Sequence, residues 1–344
     1  MRARTRTSKG RRGLMSVLAA AGLICGAICG AISAPAYSVE IAATNYGSSV
    51  VGMPWAVAMA KGYFKDAGVD VSGVIGSPGG STEVRNLIAG DLPYADSALI
   101  PTLKAIKNGS DLRIISDNTQ TSAQFVWLVK PDSPIKTLSD LKGKRISFTT
   151  PLSTSQSLDF LLIDKAGLKP SDVKMISTGA YGAALTALEH NGIDLALVSE
   201  PTYTMNKSMF KPLFWSRDLF SAVNSSVGVT SVKTMKTHPE MLRGIIVARR
   251  RAVQFIKTNR EASVAIIAKA YKMDPAVVRT MLAELVDRPS SDGSVFFGQG
   301  DINPKGLDAL VDLAQKTGDL TEKVNWRDYV DQSFLPADLQ RKLR

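Results

Sequence analysis

Apolar runs of four to six residues alternate along this chain with longer stretches in which apolar positions recur every three or four residues. That is the pattern of an α/β fold with short connections. Strands are expected at Val39–Thr44, Val69–Val74, Tyr94–Asp96, Leu112–Asp117, Phe125–Val129, Arg145–Phe148, Val173–Ser177, Leu195–Ser199 and Val227–Thr230, with helices between them. A helix beginning near Ser155 buries Leu158, Leu161, Leu162 and Ala166, and one near Gly182 buries Leu185 and Leu188. After Thr230 strands stop and helices take over. Their apolar faces are Leu242, Ile245, Ile246, Val253 and Ile256, then Val278, Met281, Leu282 and Leu285, then Leu307, Leu310, Val311 and Ala314. Asn303-Pro304 supplies a cap and first-turn pair for the last of these. No repeat or low-complexity tract interrupts the pattern.

Two features punctuate it. Lys130-Pro131-Asp132-Ser133-Pro134 carries two prolines and precedes Leu138-Ser139-Asp140-Leu141-Lys142-Gly143-Lys144, a single helical turn ended by glycine, which predicts the chain crossing into a second lobe. The stretch from Pro54 to Val71 reads as a helix with proline in its first turn, an apolar face through Trp55, Met59 and Tyr63, a Gly68 stop and then a β-branched strand.

These stretches also resemble a family. Pro54-Trp55-Ala56, Lys61-Gly62-Tyr63-Phe64-Lys65-Asp66-Ala67-Gly68-Val69-Asp70-Val71 is similar to the first helix and second strand of the nitrate/sulfonate/taurine class (NMT1/THI5-like) of periplasmic substrate-binding proteins that feed ABC importers. The run Lys130 to Lys144 matches that family's lobe junction almost letter for letter. The likeness continues in order through Lys165 to Val173, Gly192-Ile193-Asp194, Glu200-Pro201 and His238-Pro239-Glu240, so it covers most of the chain. It implies a type II periplasmic binding protein-like fold: two lobes, each a mixed sheet flanked by helices, with a helical C-terminal region. By the same likeness lobe one is residues 37–130 with 226–344, and lobe two is residues 131–225. Such proteins catch ligands and catalyse nothing.

Residues 1–12 carry six Lys/Arg and no acid, an uncharged run from Leu14 to Ile32 follows, and Ala34-Pro35-Ala36 offers a cleavage site. Residues 1–36 therefore read as an export signal directing the protein to the periplasm. A retained anchor is the competing reading, against which stand the internal glycines and the small-residue exit. Arg11-Arg12-Gly13-Leu14-Met15 also fits the loose twin-arginine pattern. Both cysteines, Cys25 and Cys29, lie inside this segment, so the mature chain is expected to have no disulfide and no thiol chemistry. The formal charge of +11 loses the six leader cations, leaving 36 Lys/Arg against 31 Asp/Glu. That balance is mild and dispersed, and nucleic acid is not implied. Its tightest cluster, Arg249-Arg250-Arg251, reads as a solvated helix face.

In open α/β sheets the binding crevice lies beyond the carboxyl ends of the strands, where helix N-termini attract anions. Here Tyr46, Gly47 and Ser48 follow the first strand, Gly79, Gly80 and Ser81 the second, and Asp96 and Ser97 close the third. In the second lobe Ser153, Thr154 and Ser155 open one helix and Tyr181 another, and Glu200 follows a buried strand. Each loop reads equally well as ordinary helix capping. The resemblance places ligand contacts at Ser81, Ser97, Ser153, Thr154 and Ser155. It also marks a departure, because Pro151-Leu152 stands where the family usually has glycine. Trp55 and Trp127 read as core, and Arg85 as a solvated helix residue. His190 and His238 sit at surface-like turns, and no G-x-S-x-G, H-E-x-x-H, Walker loop or mature cysteine cluster is present.

The expectation is a monomeric, exported binding protein, requiring no cofactor or metal. It captures a small organic anion such as a sulfonate, a taurine-like molecule or a carboxylate for an ABC permease and ATPase in the inner membrane. Recognition of a thiamine-precursor pyrimidine, or ligand sensing uncoupled from transport, are the alternatives.

Overall fold

The computed structural model describes residues 38–343 apart from Pro78, Asp91, Pro289 and Ser291. The leader, its two cysteines and the twin-arginine motif lie outside the described residues. Eleven strands occur among them: β1 Val39–Thr44, β2 Val71–Ser77, β3 Ala95–Ser97, β4 Leu112–Thr119, β5 Phe125–Val129, β6 Arg145–Phe148, β7 Lys174–Ser177, β8 Leu195–Ser199, β9 Lys211–Trp215, β10 Ser226–Ser231 and β11 Phe297–Gly300. They form two sheets, in the order β11-β4-β10-β3-β1-β2 and β7-β6-β8-β5-β9.

Each sheet is parallel around one centre and carries one inserted strand that runs the other way. In the first, β1 runs parallel to β2 and β3, while β10 is antiparallel to both β3 and β4. In the second, β6 runs parallel to β7 and β8, while β5 is antiparallel to β8 and β9. The reversed strands are the two that arrive from the other sheet, β5 and β10, and the edge strand β11, which is antiparallel to β4. The chain leaves the first sheet after Thr119 and returns at Ser226, and both arriving strands are buried on both faces except at the last residue of β10.

The pairing corrects several sequence expectations. β5 belongs wholly to the second sheet, so the crossing lies at residues 120–124 rather than at the prolines of 130–134, which follow it. Strands do not end at Thr230, because β11 pairs with β4 at the sheet edge. Its sequence, Phe297-Gly298-Gln299-Gly300, has no apolar alternation to announce it. β9 contains Pro212, which reads against a strand, yet β9 is the edge of its sheet, where a missing N–H is tolerated.

Helices cover both sheets and a continuous apolar core reaches from one to the other. The helix Pro239–Thr258 has proline in its first turn and buries Leu242, Ile245, Ile246, Val253 and Ile256, each fully enclosed side chain contributing about 1.5–3 kcal/mol. Arg249 breaks the solvated-face expectation, since it is 2% exposed and turned into the protein. The helix Pro304–Thr317 buries Leu307, Leu310, Val311 and Ala314 against helices of both sheets, Leu99–Lys107 and Thr154–Lys165. No helix among the described residues is long and apolar enough to cross a membrane.

The helix Thr154–Lys165 buries Leu158, Leu162 and Ile163, while Leu161 and Ala166 are only half-buried. Its inner face is partly polar, which blurs its periodicity: Ser155, Ser157 and Asp159 are also enclosed. Trp127 Nε1 donates to Asp159 Oδ1 at 2.8 Å, and Oδ2 has no partner. Burial holds this carboxyl well above the usual range. A folded-state pKa above the unfolded one gives stability that is full at low pH and is lost as pH rises toward the folded value. Asp159→Asn keeps the acceptor for Trp127 and never ionises. It should therefore melt above the wild type at alkaline pH and lose that advantage near about pH 4; coincident melting curves at both extremes would refute the assignment.

Candidate functional site

The carboxyl ends of the parallel strands of both sheets face a common cleft. From the first sheet come Thr44 and Asn45 after β1, Gly79 and Gly80 after β2, and Ala98 after β3. From the second come Thr149 and Ser153–Ser155 after β6 and Tyr181 after β7. Gln124 and Phe125 from the outgoing crossing, and Ser225 and Ser226 from the return, complete the floor with Ser49 and Val51.

Four helices begin at this cleft, two from each sheet. Gly79, Ala98 and Ser153 are the N-caps of the helices Gly80–Ala89, Leu99–Lys107 and Thr154–Lys165, and Tyr181 is the first residue of Tyr181–Glu189. The first, second and fourth have no side-chain cap, which leaves first-turn N–H groups for a ligand, although in the first of them Thr82 N already donates to Gly79 O at 2.9 Å. Only Ser153 caps conventionally, accepting from Gln156 N at 3.2 Å. Among the described residues the lining contains no lysine, arginine, histidine, aspartate or glutamate. Burial pushes the Tyr181 phenol up, which keeps it a neutral donor, and its ring meets Phe125 edge-on at 6.3 Å.

Close packing sets the shape. A Cβ on Gly80 would lie 2.6 Å from Ala98 N, so glycine lets one helix start approach the next. The two rims also touch: Ser81 Oγ lies 3.5 Å from Pro151 O, and Thr154 Oγ1 donates to Ser225 O at 3.2 Å. Leu152, where a glycine was missed in the sequence, takes the left-handed conformation itself, with φ of 64°. Its N–H donates to Gln156 Oε1 at 2.6 Å, so that donor turns away from the cleft.

Of the residues singled out from sequence, Gly79, Gly80, Ser153, Thr154, Ser155 and Tyr181 line the cleft together. The others stand elsewhere. Tyr46 packs edge-on against Tyr271 at 5.6 Å, and Gly47 and Ser48 form an exposed turn in which Ser48 Oγ donates to Asn45 O. Ser81 sits at the rim, and Ser97 is spent on a 2.8 Å hydrogen bond to Gly80 O. Asp96 is buried behind the cleft, accepting from Trp55 Nε1 at 2.8 Å. Glu200 caps the short helix Thr202–Asn206 through Thr204 N and Oγ1. Trp55 and Trp127 are fully buried, and Arg85 Nη2 reaches back to Thr82 Oγ1 on an exposed helix surface. Sequence reasoning missed Gln124, Phe125, Ser225 and Ser226, because the crossings carry no periodic signal. Among the described residues no group of three His, Cys, Asp or Glu side chains is placed to hold a metal ion.

This arrangement is that of the periplasmic binding protein fold. The alkanesulfonate-binding protein SsuA of Xanthomonas axonopodis pv. citri, solved bound to MOPS, superposes with a TM-score of 0.71 at 20% identity, over 86% of this chain and 98% of that one. Residues 51–263 match the family described as NMT1/THI5 like, and the chain belongs to it. A protein of Escherichia coli (strain K12) named for binding aliphatic sulfonates is 24% identical over 207 residues, which is 60% of this chain and 64% of that protein. The chain thus spans a little under two thirds of that relative's length. A binding protein of Brucella abortus (strain 2308) is 25% identical over 299 residues, covering 86% of this chain and 90% of its own.

Proposed function

We propose that this protein is an exported, periplasmic solute-binding protein that captures a small organic anion, a sulfonate foremost, and delivers it to an ABC permease and its ATPase. The observation that carries the reading is the convergence of four helix N-termini on a cleft that, among the described residues, has no charged side chain. Three of the four starts lack a side-chain cap and each carries roughly half a positive charge, so together they favour an anion while leaving it free to depart. The names of the relatives point the same way, since two of them are named for sulfonate binding. The lobes we assign run to residue 119 with 226–343, and from 125 to about 215, with residues 120–124 and 216–225 as the hinge through which they close. The lining offers hydroxyls, amides and helix ends, and no base beside a nucleophile, which is a binding inventory. The Phe125–Tyr181 pair favours, as a second reading, a ligand bearing a flat heterocycle.

Thermal melting of the mature chain against sulfonates, carboxylates, nitrate and pyrimidines tests this. A ligand at about one hundred times its Kd adds roughly 2.7 kcal/mol to native stability. A shift with sulfonates supports the reading, a shift with pyrimidines alone selects the second, and turnover of any of them overturns both. Ser153→Ala should weaken binding about tenfold and also lower stability by about 1 kcal/mol, because the hydroxyl serves both the ligand cleft and the helix cap. Thr154→Ala should weaken binding with a smaller stability loss. Calorimetric titration beside urea melts checks both, and unchanged affinity in the two variants would displace the second-sheet half of the site.

A further inference from the structure

Directly behind one of the four helix starts stands a carboxyl that the cleft itself does not expose. Glu83 lies in the first turn of Gly80–Ala89 and is fully enclosed. Its Oε1 accepts from the Ser77 hydroxyl at the end of β2, and its Oε2 is buried with no hydrogen-bond partner. Gly79 and Gly80, on the same turn, and Thr44, whose hydroxyl donates to Asp96 O at 3.1 Å, line the cleft. Of the elements packed around it, β2 contributes Ser77, β1 contributes Thr44 and β3 contributes Asp96, the charged group that acts on it among the described residues. Arg249, from Pro239–Thr258, acts on Asp96 instead. Burial pushes Glu83 up to about 7, against the Ser77 hydrogen bond and with a smaller push from Asp96.

Resting on the anion-capture reading, we propose that Glu83 couples ligand affinity to one proton: the anion is held while Glu83 is protonated, and ionised Glu83 opposes it. An ionised carboxylate would place a full negative charge at the end of a helix whose positive half-charge is aimed at the ligand, cancelling that helix's contribution and repelling the guest across a dry wall. The coupling is reciprocal, so a bound anion raises the proton affinity of Glu83. A neutral cleft with a titratable backstop thus has an affinity that falls as pH rises through neutrality.

The test is calorimetric titration with butanesulfonate, whose charge is constant over the range, in sulfonate-free buffers. For the wild type, Kd should rise about tenfold between about pH 6 and about pH 8. Binding near neutral pH should also take up a fraction of a proton, read as an enthalpy difference between two buffers of unlike ionisation enthalpy. Glu83→Gln, an isostere of the protonated acid, should hold the wild type's low-pH affinity throughout. A wild type that binds with no proton uptake overturns the proposal even if the variant fails to fold, as does a folded variant with the wild-type pH slope. A folded wild type that binds no butanesulfonate at any pH defeats the sulfonate reading, and the proposal falls with it.

Discussion

Replacing Arg249 by methionine is expected to cost about 3–5 kcal/mol of stability, the largest effect of any single side chain considered. The guanidinium is sealed between the first sheet and its helical cover, donating to Gly298 O at 2.6 Å and Asn118 O at 2.5 Å, with its Cζ 5.5 Å from the centroid of the Trp55 ring. Burial pulls its pKa down, and Asp96 foremost pushes it back up. Methionine fills similar volume but leaves two carbonyls unpaired and removes the cation that offsets burial at Asp96 and Asp117. Gly298 belongs to β11 and Asn118 to β4, so the same side chain ties the last strand to the sheet. Urea unfolding at neutral pH measures the loss. It should shrink as pH falls, because the orphaned carboxyls then become neutral in the native state; a loss under about 1 kcal/mol at neutral pH would mean that the cation is dispensable.

The second large effect is on binding. Gly79→Val should weaken ligand affinity at least about tenfold while leaving the melting transition of the free protein nearly unchanged. Gly79 has φ of 176° and ψ of 152°, extended backbone open to any residue, so no conformational strain is introduced. The cost is contact: a Cβ there would lie 2.8 Å from Thr150 Oγ1 on the opposite rim. A branched side chain wedges the rims apart, and overpacking of that kind costs about 1–3 kcal/mol of the closed arrangement. Affinity falls by the fraction of molecules able to close. Calorimetric titration beside thermal melting separates the two outcomes. Unchanged affinity would show that the rims need not meet around the ligand, and a collapsed melting transition would show that Gly79 belongs to the fold and not to closure.

Much of the architecture could be read directly. The strands β1, β5, β6 and β8 fall where their apolar runs put them, and the faces of Pro239–Thr258, Pro275–Val286 and Pro304–Thr317 are buried at each position that the three-to-four spacing selected. Legibility failed where a residue's role depended on a distant partner. Pro212 argues against a strand until β9 is known to be an edge, and the glycines of β11 argue against one until β4 is beside it. In the loops, hydroxyls and glycines marked helix starts correctly, yet Ser97, Ser81 and Glu200 spend their polar groups on neighbours, while Ala98 and Phe125, with no polar side chain to attract notice, reach the cleft.

By itself the sequence determined the local order of strands and helices, the caps that begin them and the family they belong to, because periodicity and capping act over a few residues. Only the tertiary structure decided that Arg249 faces inward among buried acids, that four separate helix starts share one cleft, and that Glu83 lies behind it. Charge compensation and convergence are properties of groups far apart in the chain. Burial raises the energy of a charge without leaving any mark on its immediate sequence neighbours.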